Sequence, residues 1–186
     1  MTETLEERYQ RVAATQLKTR IVSADDFRVD DHGVYGHEGD MGLIAWRMAE
    51  RSLQALLPTC SRVIALAGTP GAGKTTWLRQ HATPAPAGTV FMDITLTRRK
   101  ARRELCAIVN AAGKPIRCLV LHPTLETCLR RNQQRGRQVP EVLIRQAHHR
   151  LCVCPPDFDE GWDAISFLDL GGGSLELPAD PPEKFA

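Results

Sequence analysis

Three observations predict an α/β fold built on a parallel sheet. Segments with strand character and segments with helical periodicity alternate five times along the chain. The clearest strand, RVIALAG at 62–68, is apolar without a break, the pattern of a strand buried on both faces. It runs straight into GTPGAGKT at 68–75, a glycine-rich turn of the kind that joins a strand to a helix.

The elements follow in order. Residues 3–18 carry Leu5, Tyr9 and Val12 on one stripe and predict a helix. RIVSADD (20–26) is a short apolar run ending in carboxylates, expected as a strand that delivers polar groups at its C-terminal end. The segment up to Asp40 has the Gly and Asp content of a loop, and Tyr35 to Asp40 is expected to line a pocket. Residues 41–57 are spaced as a helix, which Pro58 closes. After the glycine turn comes a short helix over Lys74 to His81, a break at TPAPAG, and a third strand, TVFMDI. A basic amphipathic helix over 97–112 ends at Gly113, and IRCLVLH is a fourth strand. Thr124 can cap a helix reaching about Gln134, where Gly136 stops it. Pro140 starts another helix, to about Leu151, before a fifth strand, AISFLDL. The boundaries expected are one domain over 1–170 and a flexible Gly- and Pro-rich tail over 171–186.

Bulk properties exclude several classes. The chain has 186 residues, enough for one domain with a sizeable core and short for two. A net charge of +2 is too small by itself to argue for a nucleic-acid partner. The distribution says more, because Arg98, Arg99, Lys100, Arg102 and Arg103 form one basic run. Arg130, Arg131, Arg135, Arg137 and Arg145 form another. The opening MTETLEERYQ has no apolar h-region, and no apolar stretch is long enough to span a bilayer. A cytoplasmic protein with no membrane association is expected. Of six cysteines only Cys152 and Cys154 are close, as C-x-C, without a second pair to complete a four-cysteine zinc site. Reduced, structural cysteines are expected.

The glycine turn fits G-x-x-x-x-G-K-[ST] at every fixed position and sits between a strand and a helix. Gly68, Thr69, Pro70, Gly71, Ala72 and Gly73 would turn backbone N–H groups toward phosphate oxygens, with the helix N-terminus adding its partial positive charge. Lys74 would reach the β- and γ-phosphates of ATP or another NTP, and the Thr75 hydroxyl, followed by Thr76, would bind Mg²⁺. Asp93, at the end of the third strand, stands where a second metal-supporting carboxylate belongs.

Phosphoryl transfer to a hydroxyl also needs a proton acceptor. Between Thr76 and Pro156 the only aspartate is Asp93, and the glutamates Glu104, Glu126 and Glu141 fall in or at the start of predicted helices. The acceptor is therefore expected upstream, in SADDFR. Read as a strand, this segment points Ser23 and Asp25 to one face and Asp26 to the other. Asp25 beside Arg28 could take a hydroxyl proton while the arginine pins an anionic group. The two aspartates would equally serve to cap a loop.

Three segments resemble the polynucleotide-kinase-type P-loop kinases. They are GTPGAGKTTW, then SADDFR against that family's D-D-x-R strand, then RRNQQRGRQVPEVLIR against its arginine-bearing lid. DITLTRRKARREL is similar to the family's D-x-T segment and PPDFDEGWDAI to its closing stretch, so the likeness spans about 21–168. The resemblance implies Asp25 as general base, Arg28 with Asp25 and Asp26 at the acceptor, and Lys74, Arg131 and Arg135 around the transferring phosphoryl group. Arg131 and Arg135, four apart, are expected on one face of a lid helix within about 124–140. It implies a P-loop kinase fold with chain-order strands arranged 1-3-2-4-5, all parallel, because D-D-x-R here precedes the cradle instead of following it. Against that family, this order resembles a permuted connection. It also implies a nucleic-acid acceptor, a 5′-hydroxyl end first, with a hydroxymethylated base or a small molecule as alternatives. A nucleotide-dependent switch without an acceptor is the remaining reading. The D-x-T segment lacks the asparagine often found after its threonine.

Overall fold

The order of apolar residues within single strands dictates two helical layers. In β2 (Arg62–Gly68), Val63, Ala65 and Ala67 face one way and Ile64 and Leu66 the other, and all five are buried. The structure, a computed structural model, describes residues 4–28, 41–136 and 138–168. In it β2 pairs with β3 (Thr89–Asp93) and β4 (Ile116–Leu121), β3 with β1 (Ile21–Ser23), and β4 with β5 (Ala164–Leu168). Every pairing is parallel, and the sheet order is β1-β3-β2-β4-β5. This is the expected order, with the strand that precedes the cradle strand in sequence lying beyond β3.

On one face, Val63, Ala65, Met92 and Cys118 pack against α1 (Leu5–Thr19), α2 (Met41–Leu56) and α4 (Arg99–Ala111), through Val12, Leu53 and Leu105 among others. On the other, Ile64, Leu66, Phe91 and Leu119 pack against α3 (Lys74–His81), α5 (Leu125–Gln133) and α6 (Glu141–Val153) through Trp77, Leu78, Cys128 and Ile144. Full burial of such side chains contributes about 1.5–3 kcal/mol each. Covering both faces is what allows a strand with no polar alternation.

Local signals set most helix ends. Thr4 caps α1 by accepting from the Glu7 N–H at 3.2 Å, while the Glu7 carboxylate accepts from the Thr4 N–H at 2.8 Å. Thr124 caps α5 by accepting from the Thr127 N–H, and Pro140 stands at the N-cap of α6. Pro58 ends α2 in a single 3-10 turn, Leu57–Thr59.

Two expectations need correction. The SADDFR segment is a strand only as far as Ser23; Ala24–Phe27 is a 3-10 turn. Alternation of side chains therefore does not separate Asp25 from Asp26, and both are exposed on that turn. The turn forms because Ala24 and Phe27, three apart, both bury toward the core. Likewise Arg135 does not share a helical face with Arg131. α5 ends at Gln133, and Arg135 lies in the following turn, its N–H bonded to the Asn132 carbonyl at 3.2 Å. The loop expected at Tyr35 to Asp40, the tail from 171 and Arg137 lie outside the described residues. Among the described residues, no helix is long and apolar enough to cross a membrane.

Candidate functional site

The glycine turn is shaped by what packs against it. Gly71 has φ +86°, and a Cβ there would stand 2.5 Å from the Cys128 carbonyl oxygen of α5. A Cβ on Gly68 would stand 2.7 Å from the Leu121 carbonyl oxygen at the end of β4. Glycine is needed at both positions because backbone from two other elements closes on the loop. The Arg131 guanidinium donates to the Ala72 carbonyl at 3.2 Å, fastening α5 to the same turn.

The Lys74 ammonium lies inside this turn and donates to the carbonyls of Gly68 at 2.8 Å and Thr69 at 3.3 Å. Burial pushes it below the usual lysine range; Asp93 and then Asp25 pull it back up, and Arg135 adds to the lowering. The side chains of two separate strand ends, and of the turn after α5, thus act electrostatically on one ammonium group. Thr75 donates its hydroxyl to the Asp93 carboxylate at 3.0 Å. A hydroxyl and a carboxylate side by side are the hard oxygen donors that suit Mg²⁺, so the residues present fit that ion.

Register explains why Asp25 is near. Ser23 pairs with Asp93 across β1 and β3, and Leu66 pairs with Asp93 across β2 and β3. The turn bearing Asp25 therefore leaves the sheet at the edge where the cradle begins, as ligand-binding ends do in open parallel sheets. Asp25 meets Arg28 at 3.6 Å, with the aspartate side chain about half exposed and the arginine about one-quarter. Arg28 also passes over the start of α2, where a Cβ on Gly42 would come within 3.3 Å of its guanidinium.

Other groups were not legible beforehand. Gln16 of α1, almost fully buried, donates through Nε2 to the Ser23 carbonyl at 2.8 Å and the Asp26 carboxylate at 2.9 Å. Through these two bonds it holds the acidic turn against α1. A glutamine inside an amphipathic helix gives no sequence signal of that kind. Asn132 bonds both the N–H and the carbonyl of Val139, each at 2.9 Å, and so closes the turn that carries Arg135.

The first basic run has a structural destination. Arg102 is fully buried and forks onto Glu160, through Nε at 2.7 Å and Nη2 at 2.6 Å. It also donates to the carbonyls of Leu96, Cys154 and Pro155. Trp162 donates its indole N–H to Glu160 at 3.0 Å. Arg99 and Arg103 both reach Asp159. The EGWD segment thus locks α4 to the sheet. Leu96, held by Arg102, has φ +46°, uncommon for leucine, and its neighbour Thr95 accepts from the Gly68 N–H at 3.0 Å. The buried pair thereby braces the loop between β3 and the cradle.

A family model described as an AAA domain matches residues 85–151. No curated protein matches the chain. The matched segment runs from just before β3 through most of α6 and includes Asp93, Arg131 and Arg135; the cradle and the β1 tip lie upstream of it. The matched segment covers less than half of the chain; the sheet order and the glycine turn give the whole domain the α/β architecture of the P-loop NTPase type.

Proposed function

We propose that the chain is an ATP-dependent kinase that moves the γ-phosphoryl group to a hydroxyl, with Asp25 as general base. One observation carries the reading: register sets the turn that bears Asp25 beside the strand end that bears Asp93, and both carboxylates raise the pKa of the Lys74 ammonium of the cradle. A nucleotide switch has no use for the second carboxylate.

In this reading the N–H groups from Gly71 to Thr75 and the Lys74 ammonium hold the β- and γ-phosphates. Thr75 and Asp93 would hold Mg²⁺, which would supply positive charge to the phosphate oxygens. Arg131, which donates to the Ala72 carbonyl of the cradle, and Arg135 stabilise charge on the transferring group. Asp25 takes the proton of the acceptor hydroxyl as that oxygen bonds to the γ-phosphorus. The bond from the γ-phosphorus to the bridging oxygen breaks, and ADP leaves. Arg28 clamps an anionic group on the acceptor.

A polynucleotide 5′-hydroxyl is our first acceptor, supported by Arg28 and by the likeness of SADDFR to the D-D-x-R strand. A small hydroxyl-bearing acceptor is the second reading, and a specific observation favours it. Arg99, Arg102 and Arg103, which would otherwise offer a phosphate-binding face, turn onto Asp159 and Glu160.

The test is an acceptor screen with γ-labelled ATP over 5′-hydroxyl DNA and RNA, DNA with hydroxymethylated bases, nucleosides and sugars. Label on 5′ ends is expected. Label on small molecules alone selects the second reading, and phosphate release without any acceptor selects the switch. Asp25→Asn should lower transfer by about 10²–10⁴-fold while ATP affinity changes little. Full activity in that variant removes the base assignment.

A further inference from the structure

Away from the phosphate cradle, three side chains that sequence spacing kept apart come together. His122 follows the last residue of β4, and His148 and Cys152 lie one turn apart on α6. The Cys152 Sγ stands 3.4 Å from His122 Nε2 and 3.6 Å from His148 Nδ1, and the three atoms lie within 4.8 Å of one another. A tetrahedral zinc ion with ordinary Zn–S and Zn–N bonds sets its sulfur and nitrogen ligands about 3.5 Å apart. The two observed sulfur-to-nitrogen separations match that value.

The outer nitrogen of His148 is held as a metal-binding imidazole requires, while His122 Nδ1 is buried with no hydrogen-bond partner among the described residues. His148 Nε2 is 3.2 Å from the Pro123 carbonyl, which can only accept, so that nitrogen carries the proton and Nδ1 presents its lone pair to the sulfur. The two imidazoles stack at 4.4 Å between centroids, which fixes both ring planes. We propose that His122, His148 and Cys152 form a binding site for a zinc-class divalent ion, with the fourth position open to solvent beside the exposed Cys152. Two imidazoles and a thiolate are borderline-to-soft ligands, suited to Zn²⁺ and not to Mg²⁺. Binding releases the Cys152 thiol proton to solvent, so the thiolate becomes the third ligand.

The location gives the site a consequence. Leu121, next to His122, pairs with Gly68 at the start of the cradle. The chain between His122 and His148 contains α5, Arg131 and the turn with Arg135. A bound ion would clip both ends of that segment together and restrict its opening.

The experiment uses the untagged full chain, stripped with chelator and titrated with Co²⁺, then Zn²⁺, without nucleotide, so its outcome is independent of the kinase reading. Expected are one equivalent of Co²⁺, a thiolate-to-cobalt charge-transfer band in the near ultraviolet, displacement by Zn²⁺, and a higher Tm with Zn²⁺. Cys152→Ser should lower affinity by about 100-fold or more and abolish the band, and His148→Gln should weaken binding comparably. Cys154→Ser should leave both unchanged. Circular dichroism of each variant checks that the fold is kept. A wild-type chain with no band overturns the proposal, as does a Cys152→Ser chain that binds as tightly as wild type.

Discussion

Replacing Glu160 by glutamine tests whether the EGWD segment holds the domain together. Glu160 and Arg102 both have fully buried side chains, and the carboxylate accepts two arginine N–H groups and the Trp162 indole N–H. Glutamine keeps the volume but offers one acceptor oxygen where the carboxylate offered two, and its NH₂ group faces an arginine donor. In the native chain burial lowers the Arg102 pKa, and the hydrogen bonds and charge of Glu160 outweigh it to leave a net rise. Without the carboxylate the guanidinium still stays protonated, because arginine does not lose its proton in proteins. The variant therefore buries an uncompensated cation. Breaking such a pair from one side costs about 3–5 kcal/mol, and the retained volume puts glutamine near 3. For a chain of this size that corresponds to a Tm drop of about 6–12 °C. Guanidinium unfolding followed by far-ultraviolet circular dichroism should show a lower midpoint at unchanged slope. Asp159→Asn is the internal control. Its pairs with Arg99 and Arg103 are half exposed and should contribute under about 1 kcal/mol. A Glu160→Gln loss no larger than the Asp159→Asn loss would refute the argument. The double variant Arg102→Met with Glu160→Leu should regain much of the stability.

Two further outcomes follow from the geometry. Gly71→Ala should cost about 1–3 kcal/mol from backbone strain at φ +86°, and weaken nucleotide binding because α5 must move off the cradle. Gly136→Ala, with nothing near its added Cβ, should be neutral in the same unfolding and fluorescent-nucleotide titrations. Thiol labelling of the native chain near neutral pH should modify Cys152 first and Cys154 more slowly, since the other four cysteines are buried. Burial pushes the Cys106 thiol up to about 12 and raises Cys60, Cys118 and Cys128 as well, so those four should react only after unfolding. Mass spectrometry of labelled peptides checks the order; prompt labelling of Cys106 would contradict the packing.

The sequence alone determined the elements whose signals are local. The apolar run of β2, the fixed glycines and Lys74, and the caps at Thr124 and Pro140 each act over a few residues, so reading them needs no knowledge of the fold. The sheet order was legible only through the resemblance, since strand adjacency is a long-range property. The tertiary structure decided everything that depends on which elements meet. It bent SADDFR into a 3-10 turn, because Ala24 and Phe27 bury together and override the strand pattern. It turned a basic run into a buried ion-pair hub, because a fully buried Arg102 needs a carboxylate to balance its charge, and the partner that supplies it, Glu160, lies 58 residues away. It brought His122 to His148 and Cys152, because the chain leaving β4 at His122 and Pro123 meets α6, where spacing in the chain carries no information about distance in space.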